Sequence, residues 1–522
     1  MTTEGVSWKD KAAAKLAAVR GKIPQEWLLS PEYLNGDESS AHGVLDIPRQ
    51  CGILTAAELD ITERYSAVTL ARAVQNGQIK AADVATAFCK RAAIAKQLTN
   101  CLTETMFDDA LKRGRFLDDY LAEHKKPVGP LHGVPVSVKE SFHYPGVQSS
   151  LGFVSFLDKD PDRDSAALVE IILELGAILY CKTNVPQTLM TAESQNNVFG
   201  RVLNPHKLKL GAGGSSGGEG ALVAFRGSIL GVGTDIGGSI RIPSLCNGTY
   251  GFKPSSWRIP YGGQTAPVKI GSPGFPPVAG PLANSFEDLQ FFMRHVIDAK
   301  PWNRDFMALS IPWRSSVADE QNPSIRIGYL AQDPRYPVHP PVARALTEAV
   351  AKLKSAGFAV DPLDNFPSIE TSIQLATDYY SLDNTKTFKK FIDDSGEPMI
   401  PSLTKHYWTV NKKEQFSLEE VFDLNVAAGG YAAAWNSVWV DNQLDVILCP
   451  SAQTTAVVHD DFGVPIYTAV WNLLEYPAIV LPVGKVSSIK LGGAFDLERE
   501  SQYDKSLSIA DLACVLPGRQ CG

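Results

Sequence analysis

Along this chain the spacing of apolar positions changes several times, and each change marks an element. Ala81, Val84, Ala87, Phe88 and Ile94 recur near a 3.6-residue period and predict a helix over 81–97. A second helix is expected over 64–76 and a third from Asp108 to His124. From Val128 to Lys139 the pattern shortens to strand-like alternation, with Gly and Pro at its turns. Asp164-Ser165 opens a helix that runs to Leu175 and stops at Gly176, and the apolar run Ala177–Cys181 reads as a buried strand. The rhythm returns with a strand at Ile325–Leu330, a helix at Pro341–Ala356 and a buried strand at Asp445–Cys449. Such alternation predicts an α/β fold with helices on both faces of the sheet. Residues 1–60 are polar and punctuated by Pro and Gly, and read as an arm over the body. The Pro-rich stretch 260–282 reads as an ordered loop near a site.

Composition narrows the function. A chain of 522 residues with 44% apolar and 20% charged positions is ordinary for a globular protein. Its formal net charge of −8, with no basic run interleaved with aromatics, argues against a nucleic-acid partner. No stretch approaches the roughly 18 apolar residues of a membrane span, and Met1–Lys22 reads as an amphipathic surface helix with no secretory apolar core. The eight cysteines include no C-x-x-C pair and the nine histidines no H-E-x-x-H, so no metal and no other cofactor is expected. Cys181 and Cys449 lie in apolar runs and read as reduced thiols, which points to a cytoplasmic location.

The chemistry concentrates in residues 211–244, GAGGSSGGEGALVAFRGSILGVGTDIGGSIRIPS. A flexible linker would not carry the helix-forming Glu219–Ala224 and the apolar Ile229–Gly233 between its glycines. A dinucleotide fingerprint starting at Gly231 would need glycine where Ile236 stands. Gly213-Gly-Ser215-Ser-Gly217 formally matches the nucleophile elbow of the α/β-hydrolases, with His459 as a conceivable imidazole. The residues before it, His206-Lys-Leu-Lys-Leu, are too polar for the buried strand that an elbow requires. The remaining reading uses two serines. In Thr234-Asp-Ile-Gly-Gly-Ser239 the glycines let successive N–H groups converge as an oxyanion nest around the Ser239 hydroxyl. Serine needs a base, and a buried lysine can serve if desolvation keeps it neutral. Lys139 ends an apolar strand, but Lys182 and Lys253 satisfy the same pattern. Asp235 and Arg241 flank the nucleophile as a charge pair that fixes the turn.

Taken together, Gly213-Gly-Ser-Ser-Gly-Gly-Glu-Gly220, Gly233-Thr-Asp-Ile-Gly-Gly-Ser-Ile-Arg-Ile-Pro243 and His132-Gly-Val-Pro-Val-Ser-Val-Lys139-Glu140 resemble the amidase signature family. Within it the resemblance is to the fungal-type acetamidases and fatty acid amide hydrolases, through Phe88–Ala95, Lys182–Met190, Asn472, Pro477 and Pro482. It implies a single signature domain, residues 61–482, built on a large mixed β-sheet flanked by helices. It also implies a Ser-Ser-Lys triad of Ser239 as acylated nucleophile, Ser215 as bridging serine after a cis peptide, and Lys139 as base. The backbone of Ile236, Gly237, Gly238 and Ser239 would form the oxyanion hole, with Leu189 at its mouth. The expected activity is hydrolysis of a small monocarboxylic acid amide. The alternatives are a catalytically silent scaffold and a partner-dependent transamidation subunit. A homodimer is expected from the resemblance alone. Residues 483–522 depart from the family pattern and form an atypical tail.

Overall fold

In the computed structural model, which describes residues 6–314, 325–405 and 415–484, the strands are short, and those in the middle of the main sheet are buried on both faces. Seven form one mixed sheet in the order Leu102–Thr105, Ile178–Thr183, Pro135–Lys139, Leu230–Asp235, Val278–Ala283, Tyr250–Lys253, Ala478–Val480. The three in positions two to four run parallel, and the outer pairs are antiparallel. Parallel neighbours require covered faces, and every residue of Pro135–Lys139 and Leu230–Asp235 is buried. Three further strands, Ala359–Pro362, Arg326–Tyr329 and Val446–Leu448, form a separate parallel sheet.

Helices appear where the periodicity placed them, at Ala67–Gln75, Ala81–Thr99, Phe107–His124, Ala167–Glu174 and Pro340–Ser355. The alternating stretch from Val128 condenses to Pro135–Lys139, because residues 128–134 turn around Gly129 and Gly133. Either glycine given a Cβ would strike its neighbours, Leu175 backbone at 2.6 Å and Val74 at 2.7 Å. The Pro-rich loop over 260–282 needs a larger correction. Its end is the strand Val278–Ala283, paired along its length with Leu230–Asp235. Pro281 lacks a donor, which disguised this strand.

Helix Gly217–Ala224 is buried at every residue and packs against the centre of the main sheet. A second apolar cluster around Trp435 and Trp471 joins helices Ile369–Tyr380, Leu418–Asp441 and Ile466–Leu473. Within the first sixty residues, helix Trp8–Gly21 is tied to the body by Lys15 and Lys22, which both pair with the buried Glu104. The expected atypical tail lies outside the described residues except for Val483 and Gly484.

Candidate active site

Lys139 is the last residue of the central strand Pro135–Lys139, and alternation puts Ser137 and Lys139 on one face. The Lys139 side chain has no exposure. Its Nζ lies 2.7 Å from Ser215 Oγ and 2.8 Å from Thr234 Oγ1, so its nearest partners are neutral hydroxyls. Burial disfavours the ammonium and brings its pKa down to about 7, with Asp235 and Glu219 pulling in the opposite direction.

Ser215 follows a cis peptide from Gly214 and precedes helix Gly217–Ala224. The approach is tight. A Cβ on Gly214 would lie 2.5 Å from Thr191 O and 2.6 Å from Glu193 O. One residue on, Ser216 N–H donates to Ser239 O at 3.1 Å, which clamps the two serine segments together. Exposure is 0% at Lys139, 2% at Ser215 and 9% at Ser239; of the three only Ser239 lines the cavity, and no side-chain hydrogen bond joins Ser215 to Ser239 among the described residues.

The turn carrying Ser239 is braced from behind. Asp235 accepts the N–H groups of Gly238 at 2.8 Å, Ile240 at 3.1 Å and Arg241 at 3.4 Å. Arg241 grips the same carboxylate through Nε at 3.0 Å and Nη2 at 2.9 Å, and both side chains are buried. Burial alone would raise the Asp235 carboxyl; Arg241, Lys253 and Asn472 hold it well below the usual carboxylate range. Thr468 Oγ1 donates to Gly237 O at 2.6 Å, and Tyr380 donates to Ile236 O at 2.5 Å. Gly238 has φ +130°, and a Cβ there would meet Thr468 Oγ1 at 2.3 Å. With Gly238 N–H committed to Asp235, the N–H groups of Ile236, Gly237 and Ser239 remain without an acceptor among the described residues.

These groups border a cavity of about 20 Å³ whose lining includes Leu189, Met190, Gly214, Ile236, Ser239 and Ile242. Leu189, which lines it, and the preceding Thr188 hold φ values of +59° and +77°, a conformation that costs a residue with a side chain about 1–2 kcal/mol. The other candidate lysines are elsewhere. Lys182 bonds Ser149 at 2.6 Å, and Lys253 Nζ bonds the carbonyl of Pro254 at 3.0 Å. His459 bonds Leu208 O at 2.9 Å and approaches Glu193, so the imidazole that an elbow would need is not at Ser215. Thr234, Thr468 and Tyr380 were not foreseen. The last two reach the turn from more than 140 residues away, where no local pattern points to it. No group of three or more His, Cys, Asp or Glu able to hold a metal occurs among the described residues. No helix among them is long and apolar enough to cross a membrane.

A glycine-braced serine turn, a second serine after a cis peptide and a buried lysine define a class, and the comparisons agree with it. The amidase family profile matches residues 83–491, and this chain belongs to the amidase signature family of amide-hydrolysing enzymes. It is 40% identical over 505 residues to an amidase of Gibberella moniliformis, covering 96% of this chain and 93% of that protein. To an acetamidase of Emericella nidulans it is 38% identical over 534 residues, covering 98% and 95%. A solved structure of fatty acid amide hydrolase superposes with a TM-score of 0.84 at 33% identity, covering 92% of this chain and 83% of that one.

Proposed function

We propose that this enzyme hydrolyses a small monocarboxylic acid amide to the acid and ammonia through an acyl-enzyme on Ser239. The observation that carries the reading is the fully buried Lys139 amine 2.7 Å from Ser215, behind a serine turn with unengaged N–H groups. As Ser239 Oγ attacks the carbonyl carbon, its proton passes to Ser215, whose own proton passes to the neutral Lys139. The carbonyl oxygen gains negative charge against the N–H groups of Ile236, Gly237 and Ser239; one such donor is typically worth about 3 kcal/mol. The proton then returns through Ser215 to the nitrogen, the C–N bond breaks and ammonia leaves. Water, deprotonated along the same path, attacks the ester carbon and frees Ser239.

The branched apolar side chains of Leu189, Ile236 and Ile242 that line the cavity beside Ser239 favour a short acyl chain. The name of the Emericella nidulans relative, an acetamidase, favours the same size. The working unit is residues 61–482, with 1–60 as an arm. Ammonia release from acetamide, propionamide, butyramide, benzamide and indole-3-acetamide tests the assignment. Turnover should be highest with the aliphatic members, and a preference for the aryl or indole amides would overturn the small-acyl reading. Fluorophosphonate labelling of Ser239 separates an enzyme from a silent scaffold. Glutaminase activity appearing only with a partner protein would indicate the transamidation subunit instead.

A further inference from the structure

Behind Lys139 runs a file of buried polar side chains that the reaction does not use. Glu219, in the first turn of helix Gly217–Ala224, has Oε2 at 2.6 Å from Ser137 Oγ and Oε1 at 2.9 Å from Thr183 Oγ1. Ser137 Oγ in turn lies 2.8 Å from Ser228 Oγ, which lies 2.8 Å from Leu230 O. All four side chains are buried without exposure. The file is held close, since a Cβ on Gly231 would fall 2.2 Å from Glu219 Oε2.

Counting protons along it decides its direction. Leu230 O is a carbonyl and only accepts, so Ser228 donates to it. Ser137 must then donate to Ser228, and its single proton is used. The Tyr180 hydroxyl also neighbours Ser228, but its one proton goes to Gly227 O at 2.5 Å, so it brings none to the file. Three short contacts therefore share two serine protons, and the third, between Ser137 and Glu219, needs a proton from the carboxyl. Thr183 donates to the other oxygen, as it would to the C=O of an acid.

We propose that Glu219 is a protonated carboxylic acid in the resting enzyme, donating to Ser137, and that it is a positioning residue which leaves Lys139 a free amine. The functional half rests on the reading of Lys139 as the base. Two carboxyl groups act on that amine, Glu219 and Asp235. Asp235 is already engaged by Arg241. An ionised Glu219 pulls Lys139 toward the ammonium, whereas the neutral acid fixes Ser137 on the same strand without doing so. Around Glu219 the other titratable groups are Tyr180, Cys181 and Cys101, all uncharged when protonated. Burial pushes the Glu219 carboxyl up to about 8, against Ser137, Thr183 and Lys139.

Infrared spectra of the full chain at pH 7 test the protonation directly. A carboxylic acid C=O band should be present in the native protein and absent in Glu219→Gln. In Ser137→Ala, where the acid loses its acceptor, the band should persist at higher frequency. A native spectrum from which Glu219→Gln removes only carboxylate bands would overturn the proposal, as would a Ser137→Ala spectrum with no acid band. The positioning role is read from the pH dependence of kcat/KM in Glu219→Gln. Since one neutral group replaces another, the acid limb should stay where it is in the native enzyme. Had Glu219 been ionised, its removal would move that limb down by about one unit or more, and such a move would overturn the role. If Lys139→Ala kept full activity while the band was present, the base assignment would fail and the protonation of Glu219 would stand.

Discussion

Lys139 and Lys253 occupy matched places in the sheet and are not equivalent chemically. Each is the last residue of its strand, Pro135–Lys139 and Tyr250–Lys253, and each is buried to within 1%. Burial brings both amines down to about 7. What differs is the partners. Lys139 faces two hydroxyls, one of them on the serine next to the cavity-lining Gly214, whereas Lys253 bonds the carbonyl of the residue beside it. Desolvation makes a lysine able to lose its proton; a hydroxyl with a path to the substrate makes that loss useful.

The same substitution at both sites is the sharpest way to break this contrast. Lys139→Met should reduce kcat for ammonia release by about 10²–10⁴-fold, the usual worth of a general base, with the thermal transition retained. Lys253→Met should leave kcat within about tenfold, because Met keeps the side-chain volume and the lost amine bonds the carbonyl of Pro254, not a serine of the site. Equal losses at the two positions would mean that the hydroxyl partners do not distinguish them.

Asp235 lies between the two lysines electrostatically and under the Ser239 turn structurally. Asp235→Asn leaves Arg241 buried without its anion and should lower the free energy of unfolding by about 3–5 kcal/mol, measured by urea titration. An unchanged midpoint would show that Asn472 and Thr468, which also bond Arg241, are sufficient to hold the turn.

The pH profile sharpens the Lys139 half of the contrast. In the proposed mechanism the amine is the active form, and burial lowers its ordinary pKa of 10.5 to about 7. Activity should therefore persist above pH 7 and fall as pH drops through it, about tenfold per unit on the acid side. An acid limb near 10 would mean that Lys139 is solvated in the working enzyme. A limb that stays near 7 in Lys253→Met assigns it away from Lys253.

How much of this was legible in the sequence follows from where each partner sits along the chain. The glycine-serine turns, the Asp235–Arg241 pair and the central strand are local patterns, and each is found within a few residues of its expected place. The choice among Lys139, Lys182 and Lys253 was not local. Three strand-ending or strand-borne lysines look alike until the fold sets Thr234 and Ser215 against one of them, and only the family resemblance separated them beforehand. The strand Val278–Ala283 was hidden because Gly280 and Pro281 argue against a central strand. In the structure a Cβ on Gly280 would fall 2.2 Å from Phe252 O, so the glycine is what allows the neighbouring strand to approach. Glu219 was visible only as a helix-forming residue, since its partners Ser137 and Thr183 come from two other strands.

The smallest expected effect concerns the cavity beyond the two serines. Ile242 is 2% exposed and lines the cavity beside Ser239. Ile242→Val removes one methylene from that wall, costing about 0.5–1.5 kcal/mol of stability. If the acyl chain of the substrate occupies the cavity, the vacated space accepts one more carbon. Burying that carbon is worth about 0.8 kcal/mol, roughly a fourfold rise in the ratio of kcat/KM for propionamide over acetamide. Lys139 and its hydroxyls are untouched by the change, so the acid limb of both substrates should remain near 7. A ratio that does not move while both rates fall would place the acyl chain away from Ile242 and leave the proton path as it stands.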